Sequence, residues 1–366
     1  MLPQNSTLVD LLQHRAIYQP QHTGYVFLSN GKTEEIKLSY QSLEQQAKVI
    51  AARLQKMNLM GERALLLYYP GLDFITAFLG CLYAGVVAVP VYPPQGVQQL
   101  FRLDAIAADA QVKIVLTATT LLGDIQQYFS PTVKFAHLAY LATDALDRNL
   151  ASCWEKPTLN SDTLAFLQYT SGSTGNPKGV MVSHGNLLQN SANILRGFNH
   201  NTNSRVVSWL PHYHDMGLIG GILQPLFGGF PVILMSPASF LRKPIRWLQA
   251  ISGYQATTSG GPNFAYNLCL QKITAEQKAT LDLSSWEVAF IGAEPISPKT
   301  LDQFAEAFAP CGFRREAFYP CYGLAEATLF VTGKAQKAEG NSPLPPENEE
   351  KRSNVWLPQT NKSEAS

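Results

Sequence analysis

Residues Tyr169 to Gly179 read YTSGSTGNPKG, set between the apolar run LAFLQ and a second apolar segment, VMVSH. Gly172, Gly175 and Gly179 allow sharp turns and bring backbone N–H groups close to a ligand. Hydroxyls on Thr170, Ser171, Ser173 and Thr174 add donors, and Lys178 adds a positive charge. A loop of this kind between two strands reads as a phosphate cradle. The alternative, a flexible polar hairpin, needs neither four hydroxyls nor a lysine at one place. The loop differs from a Walker P-loop, because Lys178 is followed by glycine rather than serine or threonine.

Working outward, strand-like and helix-like runs alternate on both sides. Upstream, Ser42 and Gln45 have capping-box spacing, and Leu43, Ala47, Ile50, Ala51 and Leu54 then recur with helical period. RALLLYY from Arg63 follows as a strand, then a helical run from Leu72 to Ala84 closed by Gly85, then the strand VVAVPVY. Downstream come RVVSWLP, MGLIGGILQPLF, PVILM, a helix from Pro244 to Ile251, VAFIG and a helix from Pro298 to Phe308. This alternation predicts an α/β fold: layered, mostly parallel sheets with helices on both faces. The looser stretch Asp144 to Asp162 suggests a boundary, giving an N-terminal α/β subdomain over 1–160 and a second over 161–333 that carries the phosphate loop. Residues 334–366 are polar and rich in proline and charge, and read as a disordered tail.

The 366 residues are 46% apolar and 15% charged, enough for a large core. With 28 basic and 27 acidic residues the net charge is +1, so no global field favours nucleic acid or an anionic membrane. Two uncharged stretches, Phe74 to Gln95 and Met216 to Leu241, are long enough for a membrane, but glycine and proline break both. They read as buried helix, turn and strand. Five cysteines without a CxxC pair, and a start lacking a signal-peptide pattern, point to a reducing cytoplasm.

Further motifs follow the phosphate loop: WLPHYHDMGLIGG from Trp209, SGGPNFAYNLC from Ser259, IGAEPIS from Ile291 and YPCYGLAEATLFVTG from Tyr319. Together and in this order they resemble the adenylate-forming superfamily of acyl-CoA synthetases, luciferases, peptide-synthetase adenylation domains and fatty acyl-AMP ligases. HDMG and SGGPNFAY look most like the fatty acyl-AMP ligases. The resemblance implies ATP-dependent, Mg²⁺-assisted activation of a fatty acid to acyl-AMP, then transfer to an acyl carrier protein or polyketide synthase module.

Within that resemblance, Thr170 to Gly175 and Lys178 hold the phosphates, and Glu326 with Thr170 holds the metal. Gly292, Ala293, Glu294 and Pro295 border the adenine, which stacks on Tyr322 beside Gly323; from the residues alone, Tyr322 reads better as a core aromatic and Glu326 better as a solvated charge. His214 is placed near the carboxylate and phosphate, giving Lys178, His214 and Glu326 catalytic roles. A metal site at His212, His214 and Asp215 has no second ligand cluster to support it. Gly260 and Gly261 leave room for an acyl chain, and Phe264 lines its tunnel or fills the core. After Gly333 the resemblance ends: neither the ribose-binding TGD motif nor the small C-terminal domain with its catalytic lysine is found. A truncated or split enzyme is the expectation, beside an acyl-CoA synthetase fragment or a non-catalytic nucleotide-binding remnant.

Overall fold

The computed structural model of the chain describes residues 6–94, 96–129, 138–170 and 177–334, which fall in one compact unit. Its strands, in chain order, are β1 (Thr23–Leu28), β2 (Glu35–Ser39), β3 (Arg63–Leu67), β4 (Val87–Val91), β5 (Ile114–Thr117), β6 (Ala139–Ala142) and β7 (Leu164–Thr170). They continue as β8 (Lys178–Ser183), β9 (Val206–Ser208), β10 (Val232–Met235), β11 (Thr258–Gly261), β12 (Val288–Ile291), β13 (Phe318–Gly323) and β14 (Phe330–Gly333). The helices used below are α1 (Leu8–Tyr18), α2 (Tyr40–Lys56), α3 (Leu72–Ala84), α4 (Val97–Asp109), α5 (Thr119–Phe129) and α6 (His184–Gly197).

The strands form two sheets. The smaller has the order β6-β5-β3-β4-β7-β8 and the larger β14-β13-β12-β11-β9-β10-β1-β2. Pairing is parallel inside both sheets, with antiparallel neighbours only at β7/β8, β1/β2 and β13/β14. The expected boundary near Ser161 meets an interleaved topology: β1 and β2 join the larger sheet, while β7 and β8 join the smaller.

Alternation along each strand sorts side chains into layers. In β3, Ala64 and Leu66 face a core shared with Tyr25 and Val232 of the larger sheet, whereas Leu65 and Leu67 face a second core under α4 and α5. On the far face of the larger sheet, Val207, Ile233 and Ala289 pack with Trp247, Tyr266 and Phe304 from three further helices. The layers therefore run helix, sheet, helix, sheet, helix. The middle one contains α3, whose residues from Phe74 to Ala84 are all buried, which explains why this helix is apolar all round. Among the described residues no helix is long and apolar enough to cross a membrane.

One cap differs from expectation. Helix α2 starts at Tyr40, and Ser39 rather than Ser42 is its N-cap, accepting a hydrogen bond from the Ser42 N–H. Starting one turn earlier buries Tyr40 completely and stacks it on His22 with ring centres 5.4 Å apart. That tertiary contact outweighs the local Ser42–Gln45 signal.

Candidate active site

In open parallel sheets ligands collect beyond the carboxyl ends of the strands. Here those ends carry the Trp209–Asp215 loop after β9, the Gly292–Pro295 loop after β12 and the turn after β13. The β7–β8 hairpin meets the first of these loops, Gln168 Nε2 donating to the Tyr213 carbonyl at 3.0 Å, and within it Thr170 pairs with Lys178 in register. Ser171, Gly172, Ser173, Thr174 and Gly175 lie outside the described residues. Lys178 is exposed. The base of the hairpin is locked by Tyr169, which pairs with Gly179 and donates its hydroxyl to Asp109 Oδ2 at 2.5 Å. A Cβ on Gly179 would stand 2.9 Å from the Tyr169 ring, so only glycine fits beneath it.

A cleft of about 220 Å³ brings Gly292, Ala293, Tyr322 and Gly323 together with Asp215, Met216 and an apolar wall that includes Ile194, Phe198, Phe290 and Phe330. Tyr322 is 59% exposed, which removes the core-aromatic reading and leaves its ring face free. Ala293 has φ of +68°, a left-handed conformation unusual for a residue with a side chain. Glu294 Oε1 accepts the Phe264 N–H at 2.6 Å, so this carboxylate is engaged at the start of the Asn263–Lys272 helix. Pro295 is exposed beside it and is not among the cleft-lining residues.

Gly260, Gly261 and Phe264 do not line the cleft. Both glycines are buried in β11, and a Cβ would lie 2.0 Å from the Phe290 carbonyl oxygen at Gly260 and 2.7 Å from the Trp209 ring at Gly261. Their missing side chains make room for the protein's own sheet and indole. Phe264 is 41% exposed and meets Trp209 edge to face.

Glu326 sits on a 3₁₀ turn, Ala325–Ala327, with an exposed carboxylate that no hydrogen bond or ion pair holds among the described residues. Burial pushes the Asp215 carboxyl up, and the nearby Glu326 charge adds to that, while its bond to the Met216 N–H opposes it. Burial also pushes His214 below its ordinary value, with Asp215 opposing and Arg102 of α4 reinforcing the shift. A neutral imidazole at neutral pH follows. His212 is a core residue, its ring 4.0 Å from Phe74 and its pKa pushed down to about 3 by burial. Among the described residues no group of three or more His, Cys, Asp or Glu is placed to hold a metal.

Several residues of this region gave no sequence signal. Thr328, buried with φ of +73°, closes the Glu326 turn in a conformation that costs a β-branched residue strain. Asn190 of α6 holds that turn from beneath: its Nδ2 donates to the carbonyls of Ala327 and Phe330 at 3.2 and 3.0 Å, and its Oδ1 accepts the Phe330 N–H at 3.0 Å. His200 and Thr258 line the cleft as well, linked Nε2 to Oγ1 at 2.9 Å.

The model of the AMP-binding enzyme family matches residues 12–355. The medium-chain-fatty-acid acyl-carrier-protein ligase JamA of Moorena producens is 49% identical over 336 residues, which are 91% of this chain and 57% of JamA. The long-chain-fatty-acid AMP ligase FadD26 of Mycobacterium marinum is 37% identical over 335 residues, 89% of this chain and 57% of that protein. Among solved structures, the fatty acyl-adenylate ligase of Legionella pneumophila in complex with acyl adenylate and pyrophosphate aligns with a TM-score of 0.84 at 49% identity. That match covers 89% of this chain and 56% of the other. The chain therefore spans somewhat more than half the length of these relatives.

Proposed function

Since the chain belongs to the AMP-binding enzyme family, we propose that it carries the nucleotide and acyl sites of a ligase that activates a fatty acid with ATP and hands the acyl group to an acyl carrier protein. The observation that carries this reading is the single cleft in which Gly292, Ala293 and Tyr322 face an apolar wall, because an acyl adenylate is one molecule with those two halves. In this reading a carboxylate oxygen forms a bond to the α-phosphorus of ATP while the bond to the β-phosphate oxygen breaks, giving acyl-AMP and pyrophosphate. The protein aligns two anions and offsets the charge that develops between them. Lys178 and the hairpin N–H groups serve the phosphates, and neutral His214 orients the carboxylate.

Mg²⁺ fits the residues present. It characteristically takes one or two protein carboxylates and completes its shell with phosphate oxygens and water. Glu326 offers an unengaged carboxylate, and Thr170 a hydroxyl at the end of β7. When bound, the ion would neutralise polyphosphate charge. A cytoplasmic location accords with five free thiols among the described residues.

The test is adenylation by a full-length protein containing this segment, supplied with ATP and a panel of carboxylates. Pyrophosphate release and acyl-AMP formation are expected with fatty acids. Activation of amino acids or acetate in preference to every fatty acid would refute the proposal.

A further inference from the structure

Resting on that reading, we infer that His200 and Thr258, with Gln224 behind His200, form a polar floor that sets the length of acyl chain the cleft accepts. Thr258 is the first residue of β11 and pairs in parallel register with Val206, the first residue of β9. The nucleotide-facing loops, by contrast, follow the opposite ends of these and neighbouring strands. The cleft lining thus includes both ends of the larger sheet's strands, from Gly292 and Asp215 at one to Val206 and Thr258 at the other.

Its walls carry Ile194, Phe198, Val206 and Phe290 and one hydroxyl, Ser208, whose Oγ accepts the Leu210 N–H at 3.3 Å, before they meet His200 and Thr258. His200 Nε2 and Thr258 Oγ1 are 2.9 Å apart, and His200 Nδ1 lies 3.4 Å from Gln224 Nε2. If Gln224 donates to Nδ1, then Nε2 carries the proton, Thr258 accepts it, and the Thr258 hydroxyl keeps its own proton to donate. The opposite tautomer leaves Thr258 a free acceptor instead. Gln224 Oε1 is buried without a partner among the described residues. In either arrangement the floor has hydrogen-bonding capacity that a methyl group cannot meet.

Magnitudes decide the sign. Each methylene buried on the apolar walls gains about fourfold in affinity. A buried polar group stripped of water and left unpaired loses about 5- to 150-fold. A chain gains by lengthening until it reaches the floor and loses beyond it. Gly292 lines the cleft just after Ile291, and Val288 pairs with Thr258, so from Gly292 to the floor is four residue steps along β12, roughly 13 Å at strand rise. An extended chain covers roughly 1.2 Å per bond, so the break is expected at about ten to twelve carbons.

The experiment measures binding of N-acylsulfamoyladenosines, even-numbered from four to sixteen carbons, to the purified 366-residue chain by titration calorimetry. Affinity should climb and then drop near that length. Thr258→Val and His200→Leu, which remove the two polar groups that line the floor, should each move the break at least two carbons longer. An unchanged break in both variants, or affinity still rising at sixteen carbons in the parent chain, overturns the floor. Failure of every analogue to bind would instead sink the adenylate site itself, and the floor with it.

Discussion

Replacing Asn190 with alanine tests how the Glu326 turn is held. The side chain is buried on α6 and makes three hydrogen bonds to the backbone of Ala327 and Phe330. Two carbonyls and one N–H fix its amide orientation, since only Nδ2 can donate twice while Oδ1 accepts. Alanine removes all three bonds. Each backbone group stranded by the loss costs about 1–3 kcal/mol, so the rigid sum over the three is roughly 3–9 kcal/mol. Opening the turn to water limits the loss, and it also releases about 1–3 kcal/mol of strain at Thr328. A fall of about 3 kcal/mol in unfolding free energy is therefore expected from urea titration of the chain. In the full-length protein acyl-AMP formation should fall on the order of tenfold, because the carboxylate at Glu326 is no longer held in position. Asn190→Asp retains only the acceptor and sets a charge against two carbonyls, so it should be no better than alanine. A loss below about 0.5 kcal/mol in both variants would show that the turn holds itself and that Asn190 merely fills space.

Further outcomes follow from the same geometry. Lys178→Ala and Glu326→Ala in the full-length protein should each lower acyl-AMP formation on the order of 10²-fold, as loss of a transition-state charge contact does; normal turnover in both would move the phosphate site elsewhere. Gly179→Ala should cost about 1–3 kcal/mol by driving a methyl into the Tyr169 ring, measured by urea midpoint, and the same change in a Tyr169→Ala background should cost less if the contact is the cause. Burial pushes His184 and His200 down to about 4, so between pH 6.5 and 4 the unfolded chain binds protons that the folded chain refuses. Stability should drop as pH falls through that window, by on the order of 3 kcal/mol per histidine, and less steeply in His184→Asn; a flat urea midpoint from pH 7 to 4.5 would contradict this. Assayed alone, the 366-residue chain should release pyrophosphate at under about a tenth of the rate of a full-length relative, since it spans 57% of JamA; a comparable rate would mean that it holds everything the chemistry needs.

Where local signals were strong, the elements were legible. The run from Leu72 to Ala84, apolar all round and closed by Gly85, and the helix from Pro298 to Phe308, opened by proline, have the bounds their residues imply. At Ser39 and Ser42 two candidate caps stand three residues apart, and only the burial of Tyr40 between α2 and its surroundings selects the first. Gly292, Ala293, Tyr322 and Gly323 could be read from two motifs and do share a cleft. His200, Thr258 and Gln224 could not, because their proximity depends on the register of β9 against β11, set by residues some fifty positions apart. Pattern within a segment reveals which face of a strand is apolar. It does not reveal which strand will lie alongside.

The interleaved sheets also explain why one helix matters so much. The β7–β8 hairpin belongs to the smaller sheet, and the Glu326 turn lies between β13 and β14 of the larger. Lys178 and Glu326 are separated by nearly 150 residues and sit on different sheets, yet an ATP site of the proposed kind needs both within reach of one polyphosphate. Helix α6 leaves the hairpin directly, its N-cap Ser183 being the last residue of β8. Two turns later Asn190 grips the far loop, and Ile194 and, just past the helix end, Phe198 reach the cleft wall. A single rigid element thus carries the β7–β8 hairpin at its start, the Glu326 turn at its middle and part of the apolar cleft wall at its end. On the proposed function, displacing α6 would disturb phosphate, metal and acyl binding together, whereas a change in the floor at Thr258 would alter only which chain fits.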